Sequence, residues 1–268
     1  MKIALITDTH FGARNDSLAF NDYFFEFYEK IFFPYLKDNN ITTVVHLGDV
    51  MDRRKFVSYR IAKDFRERFV DQFTGIDFHM IVGNHDTYYK NTNSVNSLQE
   101  LVDGKHSNIT VYFDGCKILF VPWINSENMS STMKMLKTST AQICMGHLEL
   151  NGFEMQKGFF MDHGWDKNEF NRFDMVMSGH YHHKSDDGHV FYLGTPYEIY
   201  WNDWGDPKGF HVFDTETRQL ERIVNPLTIY SKIYYDDSAE MNDDMTRYKD
   251  KYVKLIVVNK KDLYQFDK

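Results

Sequence analysis

Phe78-His79-Met80-Ile81-Val82-Gly83-Asn84-His85-Asp86 is the stretch on which the fold of this 268-residue chain turns. Five strand-like residues run into a tetrad that offers a hinge glycine, a carboxamide oxygen, an imidazole and a carboxylate. The tetrad is therefore expected in the turn at a strand's carboxyl end, where an open α/β sheet presents its ligands. Taken alone, Gly-Asn and His-Asp are ordinary turn dipeptides. Their weight comes from repetition, because similar Asp- and His-rich turns punctuate the first 182 residues.

Working outward, residues 2–7 read as a buried strand followed by Asp8-Thr9-His10-Phe11-Gly12. Alternate residues of an extended backbone point the same way, so Asp8 and His10 are expected to converge on one cation. In isolation they would read as a helix cap and a surface histidine. Residues 41–47 form the next strand, ending in Gly48-Asp49-Val50-Met51-Asp52, where the glycine lets the chain turn and aim Asp49 into a crevice. Asp49 can bridge two cations with its two oxygens, and Asp52 reads as a capping or supporting group. Residues 141–145 end at Gly146-His147, and residues 174–177 at Ser178-Gly179-His180-Tyr181-His182. The same period of two directs His180 and His182 to one side and leaves His183 at the surface.

Asp8, His10, Asp49, Asn84, His147, His180 and His182 are thus gathered at one sheet edge, or at the shared edge of two packed sheets. Seven donors with one shared carboxylate make two open sites of four. Imidazole, carboxylate and carboxamide without thiolate favour Mn²⁺ or Fe²⁺ over a closed structural zinc site. Two such ions about 3.5–4 Å apart clamp a phosphoryl group for in-line displacement. His85 is left over for catalysis, to stabilise the transition state and protonate the departing oxygen.

The remaining sequence bounds the answer. The length suits one large α/β domain with a small appendage. A formal charge of −8 argues against a surface that is wholly a nucleic-acid footprint, without excluding a local basic face. The run Arg53, Arg54, Lys55, Arg60, Lys63, Arg66 and Arg68 is such a face, or else the solvated side of a helix. Cys116 and Cys144 read as reduced, buried thiols of a cytoplasmic protein, and neither a signal-peptide core nor a membrane-length apolar stretch is seen.

Aromatic residues make up 16% of the chain, and many fall in residues 20–37, a helical pattern with two apolar flanks. The second flank, Tyr23, Phe25, Tyr28, Phe32 and Leu36, covers either a subunit interface or a thicker core. A hairpin is expected over residues 109–123, turning at Asp114-Gly115, and a helix over 128–137. Residues 151–165 read as a long surface loop, and residues 190–193, 209–213 and 220–224 as antiparallel strands joined by turns. Residues 226–268 are polar, acidic over 236–244, with one strand at 252–258.

The order Asp-x-His, Gly-Asp, Gly-Asn-His-Asp, Gly-His, Gly-His-x-His is similar to that of the calcineurin-like metallophosphoesterase superfamily. Within it the chain resembles the SbcD-type DNA repair nucleases, most of all the recombination endonuclease subunits of tailed phages. The closer likeness lies in Val121-Pro122-Trp123, in Glu149-Leu150-Asn151-Gly152-Phe153, in Gly194-Thr195-Pro196 with Asp206-Pro207, and in Phe213-Asp214-Thr215-Glu216-Thr217. It covers roughly residues 1–225.

The resemblance implies a four-layer α/β/β/α sandwich over residues 1–225, with a partial DNA-capping element over 226–268. One metal would take Asp8, His10, Asp49 and His182, the other Asp49, Asn84, His147 and His180, with His85 catalytic. Two Mn²⁺ are implied, with Mg²⁺ or Fe²⁺ as alternatives, and exonuclease and single-strand endonuclease activity on DNA in recombination and repair. Arg53, Arg54 and Lys55 become DNA contacts. A homodimer is implied, in the cytoplasm (a host's, if a phage encodes the chain), working with an SMC-like coiled-coil ATPase of the SbcC type. The helices that usually grip that ATPase are not matched. A phosphatase or cyclic-nucleotide phosphodiesterase on the same scaffold stays an alternative, since Asp52-Arg53 resembles the phosphatase form of the second turn. So does a non-catalytic DNA-end scaffold, although no ligand is missing.

Overall fold

In the computed structural model, which describes residues 1–102, 110–238 and 244–261, two mixed sheets lie face to face. The first runs in the order Leu220–Val224, Gly209–Asp214, Lys2–Ile6, Thr43–His46, Asp77–Met80. Its last three strands are parallel, and the first two are antiparallel additions. The second sheet runs Ser185–Asp186, Val190–Tyr192, Met175–Gly179, Ile143–His147, Cys116–Val121, Thr110–Phe113, with four parallel strands at its centre.

Side-chain alternation sorts these strands into layers. Ile3, Leu5 and Val45 face the second sheet and pack on Ile118, Phe120, Ile143, Met145 and Met177. Ala4, Ile6 and Val44 face the other way, onto Phe24, Phe27, Phe65 and Phe69 of the first helical layer. Leu119, Val121, Cys144 and Val176 meet Leu136 and Phe170 on the far side. Three apolar interlayers make four layers, the α/β/β/α sandwich that the sequence implied.

The long aromatic helix is continuous but not regular. Leu18–Phe27 is α-helical, Tyr28–Phe32 widens into a π turn in which Phe33 N–H reaches Tyr28 C=O, and Phe33–Asp38 resumes the α form. Pro34 explains the widening, having no N–H to give the preceding turn and a ring that crowds its carbonyl. Tyr23, Phe25, Tyr28, Phe32 and Leu36 are all buried within the chain, so the second apolar flank is core.

Other expectations change. The hairpin does turn at Asp114-Gly115, both with positive φ as a two-residue type I′ turn demands. Ile109, expected to open it, and residues 239–243 of the acidic stretch lie outside the described residues. Val190–Tyr192 is no neighbour of Gly209–Asp214: it lies parallel to Met175–Gly179 in the second sheet, while the later strand joins the first. The loop at 151–165 contains a small hairpin, Glu154–Gln156 with Phe159–Phe160. Tyr230–Asp236, unseen in the sequence, pairs in parallel with Tyr252–Asn259. No helix among the described residues is long and apolar enough to cross a membrane.

Because the central strands of both sheets run parallel, their carboxyl ends reach a common edge. There the turns are stitched together by backbone bonds, with Asp8 N–H donating to Gly48 C=O (2.9 Å), His10 N–H to Asp49 C=O (3.1 Å) and Phe11 N–H to Val50 C=O (2.9 Å). Asp86 is the knot. Fully buried, its carboxylate accepts from the N–H groups of Asp49 (2.9 Å), Val50 (2.9 Å), Met51 (3.0 Å) and Gly83 (2.9 Å), and from Ser97 Oγ (3.2 Å). Gly83 permits this closeness, since a Cβ there would stand 2.2 Å from the Asp49 nitrogen.

Asp86→Asn, which turns an acceptor into a donor facing N–H groups, is expected to lower stability by about 2–4 kcal/mol, read from urea unfolding. A second outcome concerns His211, which is buried between the sheets; burial, with Arg222 and Lys184 facing it, lowers its pKa to about 3. Between the unfolded value near 6.5 and about 3 the unfolded chain binds a proton that the folded chain does not, so stability falls as pH is lowered through that window. In His211→Leu the dependence of the urea midpoint on pH below 6.5 is shallower by about one proton.

Candidate metal centre

His147 ends a strand, and the other donors come from turns at the common sheet edge that are not extended. Asp8, His10, Asp49 and His180 have φ of 52°, 44°, 56° and 86°. The period-of-two expectation for Asp8 with His10 therefore gives the right partners for the wrong reason: left-handed backbone folds the donors together, at a cost typical of functional sites. His180 and His182, expected on one side, both enter the same crevice, where they lie in different groups.

The first group is Asp8, His10 and His182. His10 Nε2 and His182 Nε2 are 3.0 Å apart, and Asp8 Oδ1 lies 4.0 Å from the one and 3.9 Å from the other. The second group is Asp49, His147 and His180, joined by Asn84. Asn84 Oδ1 is 3.0 Å from both His147 Nε2 and His180 Nδ1. Asp49 faces both groups: Oδ2 lies 3.9 Å from His10 Nε2, and Oδ1 lies 3.3 Å from His147 Nε2. All seven side chains named from the sequence meet in one crevice.

The hydrogen bonds behind these donors decide which ring nitrogen faces the centre. His147 Nδ1 donates to Leu47 C=O at 2.7 Å, leaving Nε2 toward Asn84 and Asp49. His180 directs Nδ1 inward and Nε2 toward Glu149, 3.7 Å away. Carboxylates and carbonyls behind metal-binding imidazoles have this orienting effect. Asp8 is gripped by Thr7 Oγ1 (2.6 Å) and the N–H of His180 (3.0 Å). His46, fully buried, accepts from Gly48 N–H (3.2 Å), so its other nitrogen donates to Thr9 Oγ1 (3.0 Å) and ties the first turn to the second.

The electrostatics suit a cation. Burial lowers the pKa of His10, takes His182 down to about 4 and lowers His180, so these rings are neutral lone-pair donors at pH 7. Burial pushes Asp8 up to about 7, with His147 opposing and Asp49 adding to the rise. Burial alone would lower His147, but the Asp49 charge and hydrogen bond, with Asp8, raise it to about 9. The same negative field would hold a metal ion. Asn84 Oδ1, Asp49 Oδ1, His147 Nε2 and His180 Nδ1 converge, and a cation held there would take the place of the proton that the same field puts on His147. Their spacing of about 3 Å is that of neighbouring ligands roughly 2.1 Å from one cation. The residues fit a divalent metal site of His and Asp.

His85 stands beside these groups. Its N–H donates to Asp49 Oδ1 at 2.7 Å, its Nδ1 rests on the Asp52 carbonyl, and its ring meets that of His10 edge-on at 4.8 Å. Asp52 is a support as expected, with its carboxylate 3.6 Å from His10 Nδ1. His183 is not a bystander: it is mostly buried, 3.0 Å from Asp206.

The basic run is largely paired. Arg53 bonds Asp16 and Asn15, Arg54 Nη1 donates to Thr87 Oγ1 at 2.8 Å, Arg60 pairs with Asp64 and Arg68 with Glu29. Lys55 is exposed over the Tyr88 ring. Asp86, Glu149 and His46 escaped the sequence reading as supports of the centre. For Asp86 a signal existed, as the one side chain of the tetrad given neither a ligand nor a catalytic role.

The calcineurin-like phosphoesterase family profile matches residues 1–184, which takes in every donor from Asp8 to His182. Exonuclease subunit 1 of Enterobacteria phage T4 is 38% identical over 244 residues, covering 88% of this chain and 71% of that protein. A solved archaeal phosphodiesterase is 18% identical with a TM-score of 0.41, covering 84% of this chain and 100% of its own. A hypothetical protein from Thermus thermophilus is 15% identical with a TM-score of 0.44, covering 84% and 98%. A family match over residues 1–184, together with the crevice into which this chain closes its His and Asp side chains, settles the kinship: the protein is a metallophosphoesterase and belongs to the calcineurin-like phosphoesterases.

Proposed function

We propose that the protein is a two-metal DNA nuclease. The observation that carries this reading is the position of Asp49, whose two carboxylate oxygens face two different donor groups. Asp8, His10, Asp49 and His182 would hold one cation, and Asp49, Asn84, His147 and His180 the other. Mixed oxygen and imidazole donors suit Mn²⁺, with Mg²⁺ or Fe²⁺ as substitutes. Bound there, the pair would supply Lewis-acid charge against a phosphoryl group and acidify a water at neutral pH.

The chain's own residues do the rest. The Asp52 carbonyl orients His85 and leaves its Nε2 on the opposite side of the ring, where it can protonate the leaving oxygen as the phosphorus–oxygen bond breaks. Water supplies the new bond to phosphorus. Arg54 and Lys55, beside the crevice next to Thr87 and Tyr88, would meet DNA phosphates. Arg53 would do so only by leaving Asp16.

DNA as substrate is supported by the likeness to a phage exonuclease subunit. That protein's being a subunit supports a partner, which we take to be an SMC-like coiled-coil ATPase. The exposed apolar side chains Phe56, Tyr59 and Val95 support a homodimer through the nuclease domain. Residues 226–268, with their two-stranded sheet, would be the first part of a DNA-capping region. The cytoplasm, a host's if the chain is phage-encoded, is the compartment this work requires.

End-labelled duplex and single-stranded DNA incubated with the Mn²⁺-loaded protein, with and without the ATPase, test the proposal. Cleavage that EDTA abolishes and Mn²⁺ restores is expected. Turnover of small phosphoesters with all DNA left intact would replace the nuclease by a phosphatase. His85→Ala should lower cleavage by about 10²–10⁴-fold while metal analysis still finds two ions. Asp49→Asn should lose both metal and activity, measured on the same preparations.

A further inference from the structure

Lys208 is 3% exposed at the start of Gly209–Asp214, and all three of its ammonium protons have acceptors. Nζ lies 2.9 Å from Asp203 Oδ1, 2.8 Å from Asp206 Oδ2 and 2.9 Å from the main-chain carbonyl of His182. Burying such a cluster costs several kcal/mol, and apolar replacements of buried ion pairs are often as stable. Stability is thus a poor reason for placing a lysine here. What distinguishes it is its reach to the backbone of one donor residue.

Both sides of His182 are governed from this cluster. Its carbonyl also accepts from Thr195 N–H (3.1 Å). Asp203, held by Lys208, accepts at Oδ2 from the N–H groups of Ile199 and Tyr200, both at 2.8 Å. The Tyr200 ring then lies nearly parallel to that of His182, 6.2 Å between centroids and 15° apart. Asp206 faces His183 at 3.0 Å, which fastens the next residue as well. No comparable contact links Lys208 to Asn84, His147 or His180 among the described residues.

We propose that Lys208 is a positioning residue, clamping the main chain of His182 so that its imidazole joins Asp8 and His10 and thereby setting the cation affinity of that half of the crevice alone. This rests on the ligand role given to His182 above. The clamp acts at a distance from substrate, through the aim of one ring.

Mn²⁺ titration calorimetry and electron paramagnetic resonance on the full chain test it. Wild type is expected to bind two Mn²⁺ with a coupled spectrum. Lys208→Met/Asp206→Asn removes the lysine and one of its two carboxylates, which leaves the net charge of the cluster unchanged. In it one Mn²⁺ should bind as in wild type and the other about 10–100-fold more weakly, with the coupled signal replaced by that of an isolated ion. Should that variant not fold, Lys208→Arg decides. Its guanidinium still meets both carboxylates but shifts the donor at the His182 carbonyl, so the same single affinity should fall several-fold. Two unchanged affinities, or two affinities weakened alike, would overturn the clamp. A wild type that binds no pair of ions would instead defeat the two-metal reading itself, and the clamp with it.

Discussion

The buried carboxylate of Asp86 is the constraint from which the centre follows. It is an anion withdrawn from water, and the cost is offset by four backbone N–H groups from two separate turns and by the Ser97 hydroxyl. Three of those N–H groups belong to consecutive residues, Asp49 to Met51, so the turn after the second strand is bent around one anion. The fourth, Gly83, draws the third strand's turn against it. Asp49 can then point both oxygens into the crevice, because its own backbone is already satisfied elsewhere.

Around that knot the chain stores strain and disposes of it by hydrogen bonding. Non-glycine residues with positive φ are uncommon, yet several sit at this one edge. Each is held by a bond from a neighbouring turn: Asp8 by Gly48, His10 by Asp49, and His180 by the Asp8 carboxylate. The imidazoles are aimed from behind in the same manner, His147 by Leu47, His180 by Glu149 and His85 by Asp52. The aim of the donors is therefore set by the chain's own hydrogen bonds, as a preorganised site requires.

Much of this was legible in the sequence. Strand runs and the Gly-Asp, Gly-Asn and Gly-His turns mark where a chain must reverse, and local chemistry fixes which residues tolerate those turns. The Asp114-Gly115 hairpin and the amphipathic helices follow from short-range rules in the same way. Less visible were Tyr230–Asp236, the sheet that Val190–Tyr192 joins and the pairing of the basic run, because each depends on partners distant in the chain.

By itself, then, the sequence determined which side chains could serve as donors, their order along the chain and the α/β class, since these are written in residue type and period. Only the tertiary structure decided which ring nitrogen His147 and His180 turn to the crevice, which carbonyls and carboxylates aim them from behind, and that Asp86 holds turns rather than ligand. The physical reason is that a donor's identity is a property of its side chain, whereas its direction is set by left-handed backbone and hydrogen bonds between turns more than thirty residues apart.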